Sequence, residues 1–196
     1  GRVTEGSLTV GDEVETEVDV ERRRDIARNH TATHLLQSAL RQVLGKHVEQ
    51  RGSLVAPDQL RFDFSHLAAM TEKELKEVQH RVNERIRQNL KVYAEEMPYK
   101  KAVEEGAIAL FDEKYGETVR VLKIGEPPVS AELCGGTHVG FTAEILLFQI
   151  ITETSIGAGL RRIEAATGRE ALSFLERHTS ALERIAQSLS SSTEAA

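Results

Sequence analysis

One stretch of the sequence is especially informative about the fold: Arg28-Asn-His30-Thr-Ala-Thr-His34-Leu-Leu36. Apolar residues continue after it at helical spacing as far as Leu44. Two histidines four residues apart lie on one face of a helix, close enough for both imidazoles to bind one metal ion. Apolar residues fill about half of the helix circumference, and both histidines lie just past one edge of that arc. The stretch therefore predicts a core helix that carries two potential ligands at the border of the core.

A second stretch, Cys134-Gly-Gly-Thr-His138, supplies two more potential ligands. Cys134 is the only cysteine, so no internal disulfide can form. Three imidazoles and one thiolate suit Zn²⁺, which accepts both nitrogen and sulfur. Core histidines and a small buried cysteine are the simpler alternatives. We expect a zinc site, with the ligands His30, His34, Cys134 and His138.

Position 31 limits the chemistry of such a site. Zinc peptidases of the His-Glu-x-x-His type carry their general base directly after the first histidine. Here that residue is Thr31. The sequence therefore argues against a peptidase.

Composition bounds the class of protein. At 196 residues the chain is long enough for one core and a smaller appendage. It has no apolar run long enough to span a bilayer and no signal peptide, and a single cysteine fits a reducing compartment. We therefore expect a cytoplasmic protein with no membrane partner. Because the chain begins Gly1-Arg-Val-Thr4 without a methionine, we also expect a fragment of a larger protein.

The charge balance restricts how the chain can bind nucleic acid. A net charge of −6 argues against binding through bulk electrostatics, because phosphate neutralisation needs a basic surface. Any RNA contact must therefore be local, and the candidate patches are Arg22-Arg-Arg24, Arg28, Lys100-Lys101 and Arg161-Arg162. Each patch is also open to the simpler interpretation of a solvated charge cluster, which we favour for the two lysines.

Local patterns predict an α+β protein. Residues 2–20 alternate around a Gly-Asp turn and predict two strands, and Thr71 with Glu74 and Thr167 with Glu170 form capping-box patterns. The predicted helices cover residues 22–44, 71–90, 100–105 and 167–189, and the predicted strands cover 50–55, 60–64, a stretch near 92, 118–124, 129–134, 144–154 and 160–165. The Ser-rich tail after Leu189 is expected to fray.

Several blocks of the sequence together resemble the editing domain of alanyl-tRNA synthetases. They are the two metal motifs, Gly52-Ser-Leu-Val55, Leu60-Arg-Phe-Asp-Phe-Ser-His66 and Gly159-Leu-Arg-Arg-Ile-Glu-Ala-Ala-Thr-Gly168. Threonyl-tRNA synthetase editing domains share the metal motifs, but the remaining blocks match the alanyl family. The resemblance implies a two-layer sandwich of mainly antiparallel sheet with flanking helices, preceded by a partial β-barrel segment. Its expected divisions are a barrel segment (1–20), a zinc-binding editing core (21–168) and a C-terminal helix with a frayed tail (169–196).

The resemblance also implies a function. It points to hydrolysis of tRNA(Ala) mischarged with serine or glycine, with Zn²⁺ as cofactor. The implied partners are the acceptor end of tRNA(Ala) and the remainder of a synthetase chain, which binds ATP in its full-length form. Two alternatives stay open: a zinc-stabilised tRNA-binding module without catalysis of its own, and a free-standing trans-editing protein. The sequence leaves open the oligomeric state and whether the metal activates water or positions the substrate.

The expected catalytic residues are Thr33, Gln50 and Cys134. Thr33 lies between two ligands on the helix, so its hydroxyl is placed to meet a substrate serine, or equally to bond its own helix backbone. Gln50 matches a position that lines the editing pocket in the family, where an amide can orient water or a carbonyl; taken alone, it is an exposed strand residue. Cys134 serves as a metal ligand.

Further substrate contacts are expected from Gly135, Gly136, Arg161 and Arg162. The two glycines can offer backbone N–H groups to an oxyanion or phosphate, although a tight turn explains them equally well. Asp63 is either an outer partner of a ligand imidazole or, as we favour, part of an ion pair with Arg61 or Arg162.

Overall fold

The computed structural model describes residues 2–109, 115–190 and 192. In chain order the elements are α1 (Val20–Leu44), β1 (Gln50–Val55), β2 (Leu60–Ser65), α2 (Glu72–Arg87), β3 (Val92–Pro98), α3 (Tyr99–Glu104), β4 (Thr118–Ile124), β5 (Ser130–Leu133), a 3₁₀ turn (Thr142–Ile145), β6 (Phe148–Gly157), β7 (Leu160–Thr167) and α4 (Gly168–Ser188). The α+β class predicted from the sequence is confirmed.

Two antiparallel sheets build the molecule. One has four strands in the order β1-β2-β7-β6, and the other has three in the order β3-β4-β5. Short connections join β1 to β2, β4 to β5 and β6 to β7, as the alternating patterns predicted. Strands β3 and β4 pair across a longer connection that contains α3. Strand β2 pairs with β7, about a hundred residues later in the chain, and this pairing joins the β1-β2 hairpin to the β6-β7 hairpin.

Helix α1 is the centre of the main core. Asp19 caps its start by accepting a hydrogen bond from the Arg22 backbone N–H at 2.9 Å, and Gly45 ends it at φ 117°, a conformation that favours glycine. Leu35, Leu36 and Leu40 are buried as predicted, and they pack with aromatic residues of the four-stranded sheet and with α2, whereas Leu44 is half-buried. The largest fully buried side chains of this core include Leu35, Leu36, Leu40, Phe62, Phe64 and Phe148.

Helix α2 begins with the predicted capping box. The Glu74 backbone N–H donates to Thr71 Oγ1 at 3.2 Å, and the Thr71 N–H donates to Glu74 Oε2 at 2.7 Å. A smaller core, formed by Met97, Ala102, Val119, Val121 and Leu133, lies between α3 and the three-stranded sheet. The three-stranded sheet therefore has its own support, and β5 leads from it towards α1.

The barrel segment expected at the N-terminus is not confirmed. Residues 2–19 contain turns and irregular backbone but no strand, and all of them are exposed. An alternating pattern specifies a strand only where a partner strand can pair with it, and none of the described residues pairs with this segment. The expected tail beyond Leu189 lies mostly outside the described residues.

Two local predictions are wrong. The Thr167 hydroxyl does not cap α4; it donates to Asn29 Oδ1 on α1 at 2.7 Å, so a tertiary partner has replaced the local one. The strand predicted from Glu144 begins only at Phe148, because the preceding residues form the 3₁₀ turn and Leu146 has a positive φ of 72°.

Among the described residues, no helix combines the length and apolar character that a membrane crossing requires.

Candidate metal centre

The four predicted ligands converge at one point of the molecule. His30 and His34 come from α1, and Cys134 and His138 come from the loop after β5. One ligand atom from each lies within 4.8 Å of the others. Cys134 Sγ lies 3.5 Å from His30 Nε2 and 3.3 Å from His138 Nε2. Zinc bonds of about 2.3 Å to sulfur and about 2.0–2.1 Å to nitrogen at tetrahedral angles place S and N about 3.5 Å apart, so the donor set fits Zn²⁺.

Outer contacts orient two of the imidazoles. His34 Nδ1 lies 2.8 Å from Glu132 Oε2, a contact too bent for an in-line hydrogen bond but close enough for a strong charge interaction. His138 Nδ1 lies 3.2 Å from Thr31 Oγ1, which donates its own proton to the Ala27 carbonyl and therefore accepts from the ring. His34 Nε2 is buried without a hydrogen-bond partner among the described residues, so it is available to a metal.

The electrostatics of the centre favour a thiolate. Burial by itself would raise the pKa of the Cys134 thiol, but hydrogen bonds from His138 and His30 and the nearby charge of His34 outweigh it and lower this pKa to about 3. Burial opposes a charge on His34 as well, yet the carboxylate of Glu132 and the Cys134 thiolate raise the His34 pKa to about 10. Burial, reinforced by the charges of the other two imidazoles, lowers the pKa of His138 to about 4.

The loop around Cys134 is shaped to admit a histidine ring. A Cβ on Gly136 would lie 2.0 Å from His30 Cε1 and 2.4 Å from His30 Nδ1, so only glycine leaves room for the imidazole. The Gly136 N–H lies 3.5 Å from Cys134 Sγ and supports the thiolate. Arg120 Nη1 donates to the carbonyls of Cys134 at 2.6 Å and Gly136 at 3.2 Å, which holds the loop against β4.

Comparison with known proteins shows what this chain is similar to. Residues 119–164 match the family described as the threonyl and alanyl tRNA synthetase second additional domain. Alanine–tRNA ligase of Dehalococcoides mccartyi is 59% identical over 194 residues, which is 99% of this chain and 22% of that relative. The corresponding values are 58% over 176 residues (90% and 20%) for Thermoanaerobacter pseudethanolicus and 53% over 192 residues (98% and 22%) for Listeria monocytogenes.

The chain is similar to one segment of alanyl-tRNA synthetases. It spans about one fifth of the length of the alanine–tRNA ligases that it matches. The resemblance drawn from the sequence motifs is therefore confirmed by these comparisons.

The first cavity contains one of the residues expected from the alanyl-tRNA synthetase resemblance. Gln50, on β1, lines a cavity of about 220 Å³ together with Gln37 of α1, and its Nε2 donates to Ser53 Oγ at 3.2 Å. Thr33 is buried, and its hydroxyl donates to the Asn29 carbonyl at 2.9 Å, which is the backbone alternative for this residue. A Cβ on Gly135 would meet no atom within 4 Å, so this glycine lies in open space.

A second cavity lies beside the centre. It has a volume of about 410 Å³, and His138 forms part of its wall. Three arginines of α1 also line it: Arg23, Arg24 and Arg28. Arg28 pairs with Asp25 at 2.9 Å and donates to the Glu144 carbonyl at 2.8 Å, and Arg24 pairs with Glu21 at 3.2 Å. Of the patches considered in the sequence, this is the one that borders a predicted metal ligand.

The arginines of β7 are engaged elsewhere. Arg162 donates to both oxygens of Asp63 on β2 at 2.7 Å, and Arg161 makes a two-point ion pair with Glu153 on β6. These contacts agree with the ion-pair interpretation favoured for Asp63. Both guanidinium groups already bind carboxylates, and a role for Arg161 and Arg162 in substrate binding stays a prediction.

The contacts of Glu132, Thr31 and Arg120 with the centre were not predicted from the sequence. Glu132 lies on β5, two residues before Cys134, and side chains two residues apart in an extended chain point to the same side. That period-two relation was a usable signal for a partner of a ligand imidazole. No comparable signal exists for Arg120, because its contact depends on the antiparallel pairing of β4 with β5.

Proposed function

We propose that this chain is the hydrolytic editing portion of an alanyl-tRNA synthetase, which deacylates tRNA(Ala) carrying serine or glycine. The observation that carries the proposal is the four-donor cluster, beside a cavity lined by His138 and three arginines, in a chain that matches alanine–tRNA ligases over 90–99% of its length. We assign the editing core to residues 21–168, with residues 1–20 and 169–196 as flanking segments.

The reaction requires attack of water on an ester carbonyl and release of a ribose hydroxyl. The donor set fits zinc held by His30, His34, Cys134 and His138, and zinc in such a site supplies positive charge that polarises a carbonyl or lowers the pKa of water. The chain's own contribution is to hold these four side chains in place. Glu132 and Thr31 do so for His34 and His138, and Gly136 makes room for His30.

Gln50 is our candidate for orienting the reacting groups. Its amide lines the 220 Å³ cavity and does not titrate, so it can donate to a carbonyl or accept from water without changing its charge. The Gly135 backbone remains a candidate donor to an oxyanion, since the space beside it is open. We assign Thr33 to the wall of the site, where its hydroxyl keeps lone pairs for a substrate hydroxyl while it donates to the Asn29 carbonyl.

The acceptor end of tRNA(Ala) fits the second cavity best. Arg23, Arg24 and Arg28 bring positive charge to the edge of the centre beside His138, in a chain whose net charge is −6. A local patch of this kind can bind the phosphates of a single-stranded end without a basic surface elsewhere. The remaining contacts with tRNA would come from other parts of the synthetase.

A second candidate is a zinc-stabilised tRNA-binding module without catalysis of its own. The specific observation in its favour is that four protein donors close a tetrahedral shell, which is typical of structural zinc sites. Under this alternative, loss of a ligand unfolds the protein, whereas changes at Gln50 leave its function intact.

The test is deacylation of seryl-, glycyl- and alanyl-tRNA(Ala) by this chain, with zinc content measured on the same sample. We expect release of serine and glycine with alanine spared, and loss of activity in Cys134→Ala. His80→Ala, at an exposed histidine of α2, is the matched control and should retain full activity. Wild-type clearance of seryl-tRNA(Ala) by Cys134→Ala would refute the metal site. Bound zinc and tRNA binding without deacylation would favour the structural alternative.

A further inference from the structure

The side-chain amide oxygen of Gln37 is buried and accepts no hydrogen bond from the described residues. The residue is 2% exposed, and its Oε1 has no hydrogen-bond partner among the described residues. A buried carbonyl that gains no hydrogen bond on folding lowers stability, so such groups are rare in native proteins. This free acceptor therefore points to a ligand that supplies the missing donor.

Its position connects it to the metal centre. Gln37 lies three residues after His34 on α1, which is a rise of about 4.5 Å along the helix. It lines the 220 Å³ cavity with Gln50, and Ile108 forms another part of the wall. The backbone of Ile108 pairs with β5 at Glu132, the residue that contacts His34. The cavity and the metal centre therefore share their supporting elements.

Three other polar side chains of this cavity already have partners. Arg41 Nη1 donates to the Val48 carbonyl at 2.7 Å, and Glu49 Oε2 pairs with Arg51 at 2.7 Å. Gln50 donates to Ser53. Gln37 differs from them in being both buried and unpaired. A volume of 220 Å³ lies below the range of about 300–1,000 Å³ that is usual for larger ligands, so the cavity suits a small polar group.

We propose that Gln37 is a substrate-binding residue whose Oε1 accepts a hydrogen bond from the amino-acid portion of the aminoacyl ester. This inference rests on the proposed editing function and deepens it by assigning the amino acid to the cavity of Gln37 and Gln50. Two groups of the amino acid can supply the donor, the α-ammonium of every substrate and the side-chain hydroxyl of serine. A site built to satisfy one polar group discriminates strongly against ligands that lack it.

The test uses Gln37→Met, which keeps the length of the side chain and removes the amide. Gln42→Met is the matched control, because Gln42 is an exposed glutamine on the same helix. We expect Gln37→Met to deacylate seryl-tRNA(Ala) at least tenfold more slowly, with the melting temperature unchanged or raised and zinc retained. A purely structural glutamine would instead give a lowered melting temperature. Equal losses with seryl- and glycyl-tRNA(Ala) identify the ammonium as the donor, and a loss confined to the seryl substrate identifies the hydroxyl.

Failure of this proposal and failure of the editing function give different results. If the wild type is active and Gln37→Met is equally active, the proposed role of Gln37 is overturned and the editing function is not. The same holds if Gln37→Met loses zinc and melts at a lower temperature than an active wild type. Absence of deacylation by the wild type counts against editing itself. In that case a binding measurement tests the role of Gln37. A non-hydrolysable 3′-seryl amide of adenosine should bind Gln37→Met at least tenfold more weakly than wild type, and equal binding overturns the proposal.

Discussion

Replacing Gly136 with alanine should displace a metal ligand. The added Cβ would lie 2.0 Å from His30 Cε1, whereas ordinary contacts of such atoms begin at 3.4 Å, so the ring must move by the difference, 1.4 Å. Zinc tolerates changes in ligand distance of only about 0.2 Å. His30 therefore leaves the coordination position in the variant. Disturbing even an outer partner of a ligand lowers metal affinity by about 10–100-fold, so the loss here should be at least of that order, or roughly 1.4–2.7 kcal/mol.

The assay is competition for zinc against a chromophoric chelator, with thermal unfolding of the metal-free proteins measured in parallel. Gly135→Ala is the matched control, since a Cβ there meets no atom within 4 Å and the backbone N–H is kept. We expect wild-type affinity in the control and weakened binding in Gly136→Ala. Two results would refute the reasoning: unchanged zinc affinity in Gly136→Ala, or an equal loss in both variants.

Two further predictions concern the charges of the centre. Glu132→Gln keeps the shape of the side chain but removes the carboxylate beside His34, so zinc affinity should fall about 10–100-fold while the fold is retained; unchanged affinity in the chelator assay would show that the contact is incidental. In the metal-free protein the pKa of His34 is raised to about 10, while that of Cys134 is lowered to about 3 and that of His138 to about 4. At pH 7 His34 then carries a proton that zinc must displace, so binding should release that proton and tighten as the pH rises towards 10. Calorimetry in buffers of different ionisation enthalpy measures this release, and the absence of proton release contradicts the assignment. The stability of the metal-free protein changes with pH in the opposite direction to zinc affinity. The raised pKa of His34 stabilises the metal-free fold below pH 6.5, and that contribution is lost as the pH rises through 10.

Elements that depend on neighbouring residues were predictable. The apolar arc of α1, its end at Gly45 and the capping box of α2 are set by contacts within a few residues, and they are confirmed with bounds close to those predicted. The same applies to the strands over residues 50–55 and 118–124. The clustering of His30, His34, Cys134 and His138 was predictable for a related reason, because two short motifs carry them at a spacing of four, and their role as metal ligands stays a prediction. The roles of Thr33 and Gln50 stay predictions.

The contacts between distant segments could be known only from the tertiary structure. Asn29 takes the Thr167 hydroxyl away from the helix that it was predicted to cap, and Glu132 reaches His34 across about a hundred residues. The need for glycine at position 136 follows from the approach of the His30 ring, which no local pattern contains. The helices, the strands and the chemistry of the donor side chains could be predicted from the sequence, because these follow from neighbouring residues and from residue type. The orientation of His34 and His138, the unpaired Gln37 Oε1 and the ion pairs of the arginines could not, because they depend on where distant chain segments meet.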